Sequence, residues 1–260
     1  MVCRLLRNNW NIIHCIDILR LMNFIEGEIL YFNKPLTWTS FQLVAKVRYQ
    51  ICKKLHIKKL KVGHAGTLDP LATGVMIICT GKATKNIEEF QYQTKEYVAT
   101  LELGATTLSY DLEKPIDQRY DYSHVTRELI EAALLKFTGR IEQVPPSFSA
   151  CKVDGKRAYE IARKGKEVSL KPKILVIDEI ELVECTLPVV VLRIVCSKGT
   201  YIRALARDLG EELGCGAHLT GLCRTRIGDV TIDDCLNYEE FEKNILAFNY
   251  DTESVVPNLD

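Results

Sequence analysis

The 260-residue sequence has no net charge, because 34 Lys and Arg balance 34 Asp and Glu. Taken whole, that argues mildly against a nucleic-acid partner. Its ten cysteines include no Cys-x-x-Cys pair, and no histidine stands at zinc-finger spacing from one. The common structural zinc modules are thereby excluded. No apolar run is long enough for a membrane helix. The nearest approach, residues 1–21, is interrupted by Asn8, Asn9, Asn11, His14 and Asp17 and lacks the small-residue cleavage site of a secretory signal. Internal repeats, low-complexity linkers and an obvious domain boundary are also missing. A phosphate-binding P-loop is ruled out near Gly81-Lys82. Gly74 stands seven positions before Gly81 where five are required, and Ala83 follows Lys82 where Ser or Thr is needed.

What is present is a mixed globular composition, 47% hydrophobic and 26% charged, sufficient for a core and a cleft at this length. The charge is unevenly placed. From Asp229 to Asp260 nine acidic residues face one basic residue, Lys243. The preceding chain therefore carries an excess of positive charge, which can attract phosphate despite overall neutrality. Cysteines inside apolar runs, such as Cys79 and Cys196, read as reduced thiols of a cytoplasmic protein. Met22 precedes the first ordered-looking segment, so residues 1–21 are expected to be an N-terminal extension. Residues 22–250 are expected to form the folded catalytic domain and 251–260 an acidic tail.

Periodicity places a strand over 27–33 and a helix from a Thr39 or Ser40 cap to about Leu55. That helix is expected to bury Phe41, Val44, Val47 and Ile51. A glycine- and proline-punctuated loop follows at 62–74, then a buried strand at 75–80 and a helix at 83–92. Further strands are expected at 95–104, 148–153, 173–185, 188–197, 217–225 and 227–232. Helices are expected at 126–137, 156–164, 200–213 and 238–247. Elements that mix without strict alternation predict an α+β fold with a mixed, largely antiparallel central sheet flanked by helices, rather than a doubly wound one.

The most informative segment is Gly63-His64-Ala65-Gly66-Thr67-Leu68-Asp69-Pro70-Leu71-Ala72-Thr73-Gly74. A loop of this kind can hold one carboxylate at a cleft floor. It can equally be a structural turn in which Asp69 caps a backbone N–H. The segment resembles the signature of the TruB-type tRNA pseudouridine synthases, and the likeness extends beyond it. Lys34-Pro35 with Thr39-Ser40 resembles that family's N-terminal motif. Ser149-Ala150-Cys151-Lys152 with Gly155-Lys156 and Tyr159 resembles its second. Ser197-Lys198-Gly199-Thr200-Tyr201-Ile202-Arg203 resembles its third, and Gly214 to Leu219 with Leu222 and Arg224 closes the match. These segments span about 27–230 in the family's order. Leu36 stands where many relatives have glycine, and Leu108 replaces a common acidic residue. Few residues follow the last predicted helix, so the small C-terminal RNA-binding (PUA) domain of many bacterial members is expected to be absent.

The resemblance implies the pseudouridine synthase fold with a catalytic cleft. It implies isomerisation of a uridine in the T loop of tRNA (position 55), without cofactor or metal, by a monomer. Asp69 matches the catalytic carboxylate, Arg203 its arginine partner and Tyr97 the residue that stacks on the target uracil. His64 matches the residue that fills the place of the flipped-out base. Tyr201 and Leu222 match positions lining the uracil pocket, and Lys34 and Lys152 are expected to bind substrate. Taken without the family, Arg203 reads as a helix residue paired with Asp208. Two rivals are a non-catalytic RNA chaperone on the same fold and a glycoside hydrolase. The latter normally needs two carboxylates flanking one bond.

Overall fold

The computed structural model describes residues 22–149, 151–153, 155–166 and 168–247. The expected extension 1–21 and acidic tail 251–260 lie outside them. The chain packs as two compact units. The first runs up to Gln93 and resumes at Arg224; the second is Thr94–Cys223.

In chain order the first unit contains β1 (Ile29–Lys34), α1 (Ser40–Lys54), β2 (Val62–His64), β3 (Ala72–Thr80) and α2 (Ile87–Tyr92), the last preceded by a 3-10 turn. The second contains β4 (Lys95–Leu103), β5 (Ala105–Thr107), β6 (Ile116–Arg119), α3 (Arg127–Lys136), β7 (Gly139–Gln143), β8 (Lys152–Val153), β9 (Lys156–Arg157), α4 (Ala158–Ala162), β10 (Lys173–Thr186), β11 (Val189–Cys196) and α5 (Ile202–Glu212). It also holds the start of β12 (Ala217–Ile227), whose last residues return to the first unit. β13 (Val230–Thr231) and α6 (Tyr238–Ala247) complete the chain.

In the first unit β3 is the organising strand, antiparallel to β1 and β2. It is buried from Gly74 onward, so its two alternating faces enter two cores. Met76 and Ile78 pack with Leu30 and Phe32 of β1, with Leu43, Val47 and Ile51 of α1, and with Phe241 and Ile245 of α6. Val75, Ile77 and Cys79 pack on the other side with Ala65 and Ile227. Thr39 caps α1: its hydroxyl accepts from the Gln42 N–H, and the Gln42 side chain accepts from the Thr39 N–H. The buried stripe of α1 is Leu43, Val44, Val47 and Ile51. The expected Phe41 is 71% exposed, because it lies two residues, about 200° of helix, from Leu43.

In the second unit β4, β11, β10 and β7 form an antiparallel sheet in that order. Tyr97 sits opposite Ile194 in its register. α5 buries Ile202, Ala204, Leu205, Ala206 and Leu209. The strands β5, β6, β7 and β9 lie outside the expected ones. β6 is exposed along its whole length and β7 at alternate residues, so neither shows an apolar run. The strands expected at 217–225 and 227–232 are one long strand, β12, followed by the two-residue β13. The expected strand at 148–153 shrinks to β8.

Candidate active site

Asp69 sits in the loop between β2 and β3, and the segment joining β1 to α1 fixes that loop. The Ser40 hydroxyl accepts from the Leu68 N–H at 2.8 Å and donates to the Leu68 carbonyl at 3.0 Å. The Thr37 N–H donates to the Pro70 carbonyl at 2.8 Å. Asp69 is thus bracketed by two residues whose backbones are tied, and its own carbonyl accepts from Ala72. Its side chain is half-buried.

Lys34, at the end of β1, lies under this loop with no exposed surface. Its ammonium donates to the carbonyls of Trp38 at 2.6 Å, Pro35 at 2.8 Å and Pro70 at 3.4 Å. Three donors meet three carbonyls. Burial lowers its pKa to about 8, with the Asp69 charge opposing and the Arg224 charge adding to the shift. Lys34 was expected to bind substrate; in the structure its ammonium meets backbone carbonyls. Its head group is spent on the loop's own backbone and faces inward.

Arg224 braces the other side. Fully buried, it donates through Nε to the Val75 carbonyl at 2.8 Å and through Nη2 to the Gly66 carbonyl at 3.2 Å. Gly74 adopts φ +104, and a Cβ there would stand 2.1 Å from the Arg224 carbonyl oxygen. Only glycine fits. His64, on β2, has its pKa lowered by burial and by Arg224, with the Gly66 backbone opposing, so it is neutral at neutral pH. The left-handed backbone in the Lys-Pro segment falls at Thr37 (φ 71), one residue after Leu36.

The second unit carries the other expected residues. Arg203, in the first turn of α5, is 3% exposed. Its Nη1 donates to the Ser109 carbonyl at 3.2 Å and its Nη2 to the Phe148 carbonyl at 2.9 Å, while Nε faces the Asp111 carboxylate at 3.7 Å. Asp208, the partner that helix spacing suggests, pairs instead with Arg207 at 2.6 Å. Asp111, which the sequence reading did not single out, is the carboxylate that faces Arg203 Nε. It ends a loop folded on itself: the Thr107 and Ser109 hydroxyls donate to its carbonyl, and its carboxylate accepts from the Glu113 N–H.

Tyr201 precedes α5 and is clamped by Gln143 of β7. The Gln143 side chain accepts from the Tyr201 N–H at 2.9 Å and donates to its carbonyl at 3.2 Å. The Tyr201 hydroxyl lies 3.2 Å from Cys151 Sγ. Tyr97 is 8% exposed on β4, and Leu222 is half-buried on β12. Lys152 pairs by its backbone with Arg157; its side chain lies outside the described structure. Lys34, His64 and Asp69 thus belong to the first unit, and Tyr97, Lys152, Tyr201, Arg203 and Leu222 to the second. Among the described residues no cluster of three or more His, Cys, Asp or Glu could hold a metal ion. No described helix is long and apolar enough to cross a membrane.

Comparison with protein families matches residues 53–202 to the N-terminal domain of TruB family pseudouridylate synthases. The chain belongs to the TruB family. Residues 203–259 match the C-terminal domain model of tRNA pseudouridylate synthase B. The tRNA pseudouridine synthase B of Phocaeicola vulgatus is 73% identical over 220 residues, covering 85% of this chain and 94% of that protein. The protein of the same name from Flavobacterium johnsoniae is 48% identical over 223 residues, covering 85% and 97%. Among solved structures, a Cbf5–Nop10–Gar1 complex matches with TM-score 0.64 and 28% identity, covering 86% of this chain and 56% of the matched one. An H/ACA RNP bound to a substrate RNA containing 2'-deoxyuridine matches with TM-score 0.60 and 26% identity, covering 90% and 60%. This chain thus spans little more than half the length of those structural relatives. The fold is that of the pseudouridine synthases, α+β with a mainly antiparallel sheet. As a TruB member, the protein is an isomerase acting on uridine in RNA.

Proposed function

We propose that the protein converts the T-loop uridine of tRNA, position 55, to pseudouridine, working in the cytoplasm as a monomer without metal or cofactor. The observation that carries this reading is the double fixing of the Asp69 loop, through Ser40 on Leu68 and through Lys34 and Thr37 on Pro70. A structural turn does not need so much support for one half-buried carboxylate, whereas catalysis needs a carboxylate held to within a fraction of an ångström. The relatives named tRNA pseudouridine synthase B support tRNA as the substrate.

In this reading the uridine is flipped out of the T loop at a cost of a few kcal/mol of stacking. A neutral His64 takes the vacated place, and Tyr97 stacks on the uracil. Tyr201 and Leu222 line its pocket, and Lys152 contacts the RNA backbone. Asp69 acts at the sugar, either attacking C1' or removing a sugar proton. The N1–C1' bond breaks, the base turns, C5 bonds to C1', and the C5 proton leaves. Arg203 supplies a fixed cation whose orientation Asp111 and two backbone carbonyls set.

The test is Asp69→Asn, assayed by tritium release from 5-labelled uridine in a tRNA transcript. Turnover is expected to vanish while tRNA affinity stays within about tenfold, or roughly 1.4 kcal/mol. Wild-type turnover by the variant would refute the assignment. Free uracil among the wild-type products would signal hydrolysis, and carbodiimide mapping of tRNA from cells lacking the protein tests the position.

A further inference from the structure

Cys151 stands apart from the other described cysteines. Burial raises the pKa of Cys52, Cys79, Cys215 and Cys235, as expected of thiols packed among apolar groups. At Cys151 burial acts in the same direction but is outweighed. The Tyr201 hydroxyl, the neighbouring Ser149 and the Lys173 ammonium together leave its pKa below the ordinary thiol value. The geometry accounts for this. Sγ lies 3.2 Å from the Tyr201 hydroxyl and 3.6 Å from the Lys173 ammonium. Ser149, two residues earlier, is 3% exposed, and its hydroxyl has no hydrogen-bond partner among the described residues. A tyrosine hydroxyl and a lysine ammonium therefore meet one sulfur that is itself only half-buried. A structural cysteine needs neither, whereas a thiolate is stabilised by both.

We propose that Cys151 is a modification site for low-molecular-weight disulfides, and that its occupancy switches the enzyme off. The Sγ thiolate attacks one sulfur of the disulfide. A new S–S bond forms on Cys151, the reagent's own S–S bond breaks, its other half leaves as a thiolate, and the thiol proton passes to solvent. The reagent is reduced as the cysteine is oxidised, so no further oxidant is required. The attached group then sits against Tyr201, which the proposed function places at the uracil pocket. Reduction by a free thiol reverses the step and restores activity.

The experiment treats the reduced full-length protein with 5,5'-dithiobis(2-nitrobenzoate) at neutral pH, follows tritium release, and locates the label by peptide mass spectrometry. Cys151 is expected to react roughly tenfold faster than Cys52, Cys185 or Cys223, with activity falling in step and returning on addition of dithiothreitol. Cys151→Ser, which keeps a hydroxyl beside Tyr201, should turn over and resist inactivation. Lys173→Met should be active but label several-fold more slowly. Labelling of Cys151 no faster than the other half-buried cysteines overturns the site. Full activity in protein labelled at Cys151 overturns the switch. The mass readout does not depend on the substrate, so a failure of the thiol assignment is distinct from a failure of the tRNA reading.

Discussion

Arg203 Nε faces Asp111 at 3.7 Å, and both side chains are almost wholly enclosed. Removing a carboxylate that faces a buried guanidinium is costly, even with backbone carbonyls on its other nitrogens. Asp111→Asn is therefore expected to destabilise the protein by about 3 kcal/mol, measured by urea unfolding. At temperatures where the variant is still folded, kcat should fall more than tRNA affinity, since Arg203 would be present but less firmly aimed. An unchanged kcat would separate Arg203 orientation from catalysis.

Thr37 holds a left-handed backbone with φ 71, which a β-branched residue tolerates poorly. Its N–H is nonetheless fixed to Pro70. Thr37→Gly should remove the strain and raise stability by about 1 kcal/mol. The added freedom of glycine in the unfolded chain offsets part of that gain. A fall in the melting temperature would show that the threonine side chain supports the Asp69 loop in a way its backbone conformation conceals.

Gly74 gives the opposite case. A methyl group there meets the Arg224 backbone at 2.1 Å and a left-handed φ together. Gly74→Ala should cost about 3 kcal/mol or more. Gly139 also has a positive φ but open space around its missing Cβ, so Gly139→Ala is the control. It should cost about 1 kcal/mol. Equal losses at the two positions would rule out the steric argument.

Lys34 predicts a pH dependence. Burial lowers its pKa from 10.5 to about 8 in the folded protein. Between those values the unfolded chain binds more protons than the folded one, so stability from this group rises with pH through that interval. The rise is at most about 1.4 kcal/mol per pH unit. Below about 8 both states hold the proton and the slope vanishes. Urea midpoints at a series of pH values between 7 and 10 should show this rise in the wild type and a smaller one in Lys34→Met. Parallel curves would place the titration elsewhere.

The sequence announces its helices and long strands because their apolar spacing survives inspection residue by residue. Thr39 as a cap, the alternation along β4 and the stripe of α5 are of this kind. It misleads where a residue's partner is brought by the fold. Phe41 has the right character for the core but the wrong angle around α1. Lys34, expected from the family motif to bind substrate, donates to three carbonyls that no local pattern announces. Asp111 has no local signal, because its importance comes from an arginine ninety-two positions later. Arg203 and Asp69 were legible only through family motifs, since neither spacing nor composition distinguishes them from an ordinary helix arginine and an ordinary turn aspartate.

The first unit is assembled from the two ends of the described chain. Phe241 and Ile245 fill its core beside Phe32 and Leu43, and Arg224 supports the loop that bears Asp69. During synthesis those residues leave the ribosome only after Thr94–Cys223, which emerges as one continuous stretch. The segment bearing Asp69 must therefore wait, translated but incomplete, until Arg224 and α6 have followed that stretch out.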